Sequence, residues 1–66
     1  MTKEMEFFIY LIEHYAYSKG KNTKEVFELF EKKDVTKLIY EMYEKYHTEA
    51  IENAYDDIDK ILEKKD

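Results

Sequence analysis

The sequence predicts an all-α domain, and three observations carry that prediction. The 66 residues include no Pro and a single Gly, Gly20, so little in the chain interrupts a helix. Apolar residues recur with a helical period along nearly the whole chain. Each break in that period coincides with residues that cap helices. Together these features place about four short helices, near 3–18, 23–33, 35–46 and 49–64, in a compact bundle that forms one small domain over 1–66.

In the first helix, Met5, Phe7, Phe8, Ile9, Leu11, Ile12, Tyr15 and Ala16 fall on an arc of about 200° at 100° per residue. An arc that wide predicts a helix covered on two sides, and so a central one. The apolar run from Phe7 to Ile12 also fits a buried strand, but it lies inside a longer helical pattern with no turn signal nearby. Gly20 suits the position just past the helix end. Asn22 then caps the second helix, with Glu25 three residues on to complete a capping box. That helix offers Val26, Phe27, Leu29 and Phe30 to a core.

Lys32 and Lys33 suit a helix C-terminus, and Asp34 is expected to cap the third helix. Val35, Leu38, Ile39, Met42, Tyr43 and Tyr46 follow at nearly heptad spacing. Thr48 is the expected cap of the fourth helix, whose apolar face is Ile51, Ala54, Tyr55, Ile58, Ile61 and Leu62. His47 and Thr48 form the expected structural junction between these two helices. There a ring N–H can bond a free carbonyl while the Thr hydroxyl caps the next helix.

Composition narrows the available functions. Apolar residues are 44% and charged residues 41%, too apolar for a disordered tail and too charged for a membrane span. The absence of Cys removes disulfides, thiol nucleophiles and Cys-based zinc sites. All 11 basic residues are Lys, and the net charge is -5. Without Arg there is no bidentate fork for phosphates or guanine edges, so nucleic-acid binding is not expected. The start, Met1-Thr2-Lys3-Glu4, carries no signal-peptide pattern, which makes a cytoplasmic location the default expectation.

Catalytic and metal chemistry find little support. His14 and His47 lack the i, i+4 partner His that one helix face needs to grip zinc. Asp56, Asp57 and Asp59 resemble part of a calcium loop, but the EF-hand Gly at position six is Ile61 here. Ser18 has no nucleophile-elbow glycines around it. The exposed carboxylates do not fall within an apolar pocket pattern that would tune them for acid–base work. Accordingly, no enzyme activity and no cofactor are expected.

Two surface stripes remain. Glu52, Asp56, Asp59 and Glu63 follow i, i+4, i+7, i+11 and are expected to point away from the apolar face of the last helix. Like charges at i+4 cost a few tenths of a kcal/mol each, so packing does not require this stripe. Residues 49–66 hold seven acids and three lysines, a net charge of -4. Tyr40 lies at the edge of the third helix, outside its core set, and Tyr10 and Tyr17 fall off the main arc of the first. Exposed Tyr is favoured in interfaces. The expected partner-binding surface is therefore Tyr40 together with Glu52, Asp56, Asp59 and Glu63.

The order of features resembles a family of short bacterial proteins classed as a domain of unknown function. The matching residues are Phe8-Ile9, Ile12-Glu13 and Tyr15-Ala16, then Glu25-Val26-Phe27-Glu28-Leu29-Phe30, Ile39, Tyr43-Glu44, His47-Thr48 and Asp57-Ile58. The Tyr-Glu-x-x-His-Thr stretch at 43–48 is the most specific. Where the family often has Gly shortly after His-Thr, Glu49 and Ala50 stand here. Members resemble small partners encoded beside ADP-ribosyltransferase-like toxin domains, so the resemblance implies a toxin-associated or antitoxin role.

The function expected from these readings is that of a small cytoplasmic module that binds another protein. Two alternatives stand beside it. One is a dimeric, nucleic-acid-associated regulator using the second and third helices as a helix-turn-helix-like pair. The other is a domain whose only surface of consequence is a homo-oligomer interface.

Overall fold

The computed structural model describes residues 1–64. Every regular element among them is helical: α1 Lys3–Ser18, α2 Thr23–Lys32, α3 Thr36–Tyr40, α4 Tyr43–Tyr46 and α5 Ile51–Lys64. The all-α class expected from the sequence is the observed one.

α1 starts where the Thr2 hydroxyl accepts from the Met5 N–H at 3.1 Å, with Glu4 and Glu6 favourably placed in its first turn. It ends in a Schellman motif. Gly20 adopts φ 69°, Gly20 N–H donates to the Tyr17 carbonyl at 3.1 Å, and Lys21 N–H reaches back to Ala16 at 2.9 Å. Asn22 and Glu25 form the expected capping box, with bonds of 2.8 and 3.0 Å.

α2 ends the same way, but without a glycine. Asp34 N–H donates to Glu31 at 3.1 Å and Val35 N–H to Phe30 at 2.9 Å, with Asp34 itself at φ 58°. Asp34 is thus the left-handed residue that closes α2, not the cap that opens the next helix. Val35 and Phe30, the apolar pair that accompanies such an ending, are both fully buried.

The expected third helix, 35–46, is two short helices instead. The chain changes neighbours in the middle: α3 lies against α1 and α2, whereas α4 lies against α1 and α5. A straight helix cannot follow both sets of neighbours. Glu41 and Met42 make the bend, where Met42 N–H bonds Ile39 at 3.1 Å in an i→i−3 tightening.

α5 begins at Ile51, two residues later than expected. The Thr48 hydroxyl is turned backwards, donating to the carbonyls of Glu44 at 3.2 Å and Lys45 at 3.0 Å. It closes α4, and it stands two residues ahead of Ala50, the residue just before α5, too far back to cap that helix. At this junction His47 Nδ1 lies 2.6 Å from the Tyr43 carbonyl.

α1 is central. It supplies Phe8, Leu11, Ile12, Tyr15 and Ala16 to a core completed by Val26, Phe30, Val35, Ile39, Tyr46, Ala54 and Ile58. The buried arc of α1 is narrower than the sequence suggested, because Met5 and Ile9 stay 38% and 40% exposed. No described helix is long and apolar enough to cross a membrane.

Candidate functional site

Met5 and Ile9 are exposed because they form one side of an open groove of about 700 Å3 between α1, α2 and α3. Its apolar surface is Met5, Phe8, Ile9 and Ile12 from α1, Phe27 from α2 and Tyr40 from α3. The helical period explains the alignment: residues 5, 8, 9 and 12 share a face of α1. Phe27 lies beside Val26 at the edge of the buried stripe of α2 and remains 41% exposed. Tyr40 is half-buried, its ring edge-on to Phe8 with centroids 5.5 Å apart. The rim carries both signs of charge, Lys24 and Lys37 beside Glu31 and Asp34. Glu31 is held by the Thr36 hydroxyl at 2.6 Å.

The expected site residues do not gather in one place. Tyr40 lines the groove, and none of Glu52, Asp56, Asp59 and Glu63 does. Glu52, Asp56 and Glu63 are exposed on α5, with Asp56 beside a separate polar cleft that also takes in Lys45, Glu49 and Lys60. Asp59 departs from the expectation of a solvated stripe. Its two carboxylate oxygens accept from the Tyr15 hydroxyl at 2.5 Å and from Lys19 Nζ at 2.6 Å. Its position on α5 faces the C-terminal end of α1, so it serves the fold.

Burial alone would raise the Asp59 pKa, but the hydrogen bonds from Lys19 and Tyr15 and the Lys19 charge outweigh it and hold the carboxyl below its ordinary range. Tyr15 moves the other way. Burial first, then the bond to Asp59, pushes its phenol above the ordinary value. Tyr46 repeats the arrangement, donating to Asp57 and raised by burial and by that bond. These tyrosines are proton donors held neutral, an arrangement suited to fastening helices. Among the described residues, no three His, Asp or Glu side chains converge as a metal-binding group.

The groove could not be read from the sequence, where Met5, Ile9 and Phe27 all look like core. Their exposure depends on how far α2 and α3 stand from α1. The Tyr–Asp bonds leave no local signal either: Asp57 and Asp59 flank Ile58 at 100° to each side of it, an ordinary place for acids on a helix.

α3 and α4 also bear on the helix-turn-helix alternative. The stretch that would read DNA is divided, and α3 has only five residues.

No curated protein and no solved structure matches the chain. Residues 6–65, nearly its full length, match the family described as "Protein of unknown function (DUF3791)". The chain therefore belongs to the DUF3791 family.

Proposed function

We propose that the protein is a small interaction module whose α1–α2–α3 groove receives an amphipathic helix of a protein partner. The observation that carries this is the groove itself, where Met5, Ile9 and Phe27 remain in water although a 66-residue chain has few large apolar residues to leave outside its core. Helix-in-groove recognition needs an apolar floor for side chains at i, i+3, i+4 and i+7, with polar flanks. Lys24 and Lys37 beside Glu31 and Asp34 offer such flanks to a helix that bears both charges. Tyr40 is the one member of the originally expected surface that takes part. Glu52, Asp56 and Glu63 contribute long-range charge, which raises association rates more than it holds a complex. The sequence resemblance to partners of ADP-ribosyltransferase-like toxins makes such a toxin domain, in a bacterial cytoplasm, the first partner to try.

A photo-crosslinking residue at position 27, compared with one at position 56, tests the reading in the native cell. The species crosslinked at 27 is then purified and its affinity measured. Phe27→Ser should weaken binding at least about tenfold, since buried aromatic anchors dominate such interfaces. Equal affinity of Phe27→Ser and wild type would overturn the groove as the binding site.

A further inference from the structure

The outer side of α1 sets tyrosines between carboxylates. Glu6, Tyr10, Glu13 and Tyr17 follow i, i+4, i+7, i+11 and are all exposed, Tyr17 at 86%. Lys3 opens the helix on this same line, three residues before Glu6; beyond it, from Glu4 to Ser18, the helix has three Glu and no Lys. An ordinary solvated helix face mixes signs along its length, as α2 does with Lys24, Glu28, Glu31 and Lys32. Past Lys3, tyrosines hold the places where further lysines would balance Glu6 and Glu13.

This face extends sideways into a chain of rings. His14 lies 4.1 Å from Tyr10, centroid to centroid. Phe7 contacts Tyr10 at 6.3 Å and stands edge-on to Tyr43 at 5.6 Å. Tyr43 stacks on His47 at 4.1 Å with an interplanar angle of 4°. Glu52 of α5 adjoins the same region: together with Tyr10, and after burial, it raises the Tyr55 phenol. The rings are therefore held by one another, while the outer ones face water.

We infer that this face of α1 is a second docking surface, distinct from the groove, and that it takes an arginine- or lysine-bearing segment of a protein partner. The chemistry of this face selects that occupant. Aromatic faces attract cations through the ring quadrupole. Glu6 and Glu13 stand four residues before and three after Tyr10 on the same helix face, and both are exposed. An acidic or purely apolar segment would meet uncompensated carboxylates. Tyr10, already held against His14 and Phe7, loses little freedom on binding, which favours it as the main contact point.

The test uses the 15N-labelled full chain titrated with an oligo-arginine peptide, and with an oligo-glutamate peptide as the control. Expected are chemical-shift changes centred on Tyr10, Glu13, His14 and Tyr17, with none from the control. Tyr10→Leu with Tyr17→Leu keeps every charge and should weaken binding about tenfold. Tyr17→Leu alone, at a position that packs on nothing, should weaken it several-fold with melting unchanged. Phe27→Ser, in the groove, should leave this binding as it is, so the two surfaces succeed or fail separately. Shifts centred on Asp56 and Glu63 of α5, or full affinity in the tyrosine variants, would overturn the inference and leave only charge attraction.

Discussion

The Tyr15 hydroxyl donates to Asp59 at 2.5 Å, tying the last full turn of α1 to α5 across 44 residues of sequence. Lys19 completes the arrangement from one turn further on, at 2.6 Å. A bond from a neutral donor to a carboxylate contributes more than a neutral pair. Tyr15→Phe should therefore lower stability by about 1–2 kcal/mol, read from denaturant midpoints. Lys19→Met should cost less, because both partners of the ion pair are 37% exposed and solvent screens it.

The acid limb of stability should depend on Asp59. Its folded pKa lies below the ordinary 3.8, so its contribution is complete above that value and is lost as pH falls through the folded pKa. Melting curves from neutral pH downwards should show a fall near and below pH 4 that is shallower in Asp59→Asn. An identical fall in the variant would assign acid denaturation to other carboxylates.

The alkaline limb has the opposite sign. Tyr15 and Tyr46 have folded pKa values raised above the ordinary 10.0, so their contribution is complete below about pH 10 and is lost as pH rises beyond it. Tyrosinate absorbance should then show Tyr15 and Tyr46 among the phenols that ionise late, together with unfolding. Tyr46→Phe should remove one of them and flatten the alkaline decline.

Asp34 predicts a gain. An L-residue at φ 58° carries strain that glycine does not. Asp34→Gly should raise stability by up to about 1 kcal/mol, and Asp34→Val should lower it by about 1–3 kcal/mol. Urea midpoints of both variants against wild type check the sign. A loss in Asp34→Gly would mean that the Asp side chain contributes more than its backbone costs.

Core and groove should separate cleanly under truncation. Leu11→Ala should cost about 2–5 kcal/mol and Phe30→Ala about 3–5 kcal/mol, enough to unfold most molecules of a domain this small. Phe27→Ala, two-fifths exposed, should cost about 1 kcal/mol or less. A collapse of the Phe27 variant would place that ring in the core, not the groove.

How much of this was legible in the sequence differs residue by residue. Asn22 and Glu25 stated their capping box openly, because both signals are local. Gly20 did the same for the end of α1. Asp34 misled because Asp favours both a helix start and, less often, a left-handed stop; the buried Phe30–Val35 contact decided between them. Thr48 misled for a similar reason, since its hydroxyl can close the helix behind or open the one ahead. The break at Glu41–Met42 left no local mark at all, because apolar spacing from Val35 to Tyr46 fits an unbroken helix. Of the expected partner surface, Tyr40 proved to belong to a groove set by interhelix spacing. Asp59 was taken out of the acidic stripe by a tyrosine 44 residues away, which no short-range pattern reveals.

Asp57 and Asp59 bracket Ile58, which is wholly buried, and each accepts from a different tyrosine, Tyr46 on α4 and Tyr15 on α1. The apolar seam of α5 repeats every three to four residues through Ala54, Ile58 and Ile61. A slip of one turn would push Ile58 into the small buried slot that Ala54 fills, so side-chain size already resists it. The two phenols resist it a second way. A slip of one turn would carry Asn53 and Tyr55, or Ile61 and Glu63, to the places where Asp57 and Asp59 now meet them, and neither pair supplies two carboxylates for the two hydroxyls. The polar bonds at α5 thus act as a ratchet beside the apolar seam, and the register of the helix is fixed twice, by volume and by charge.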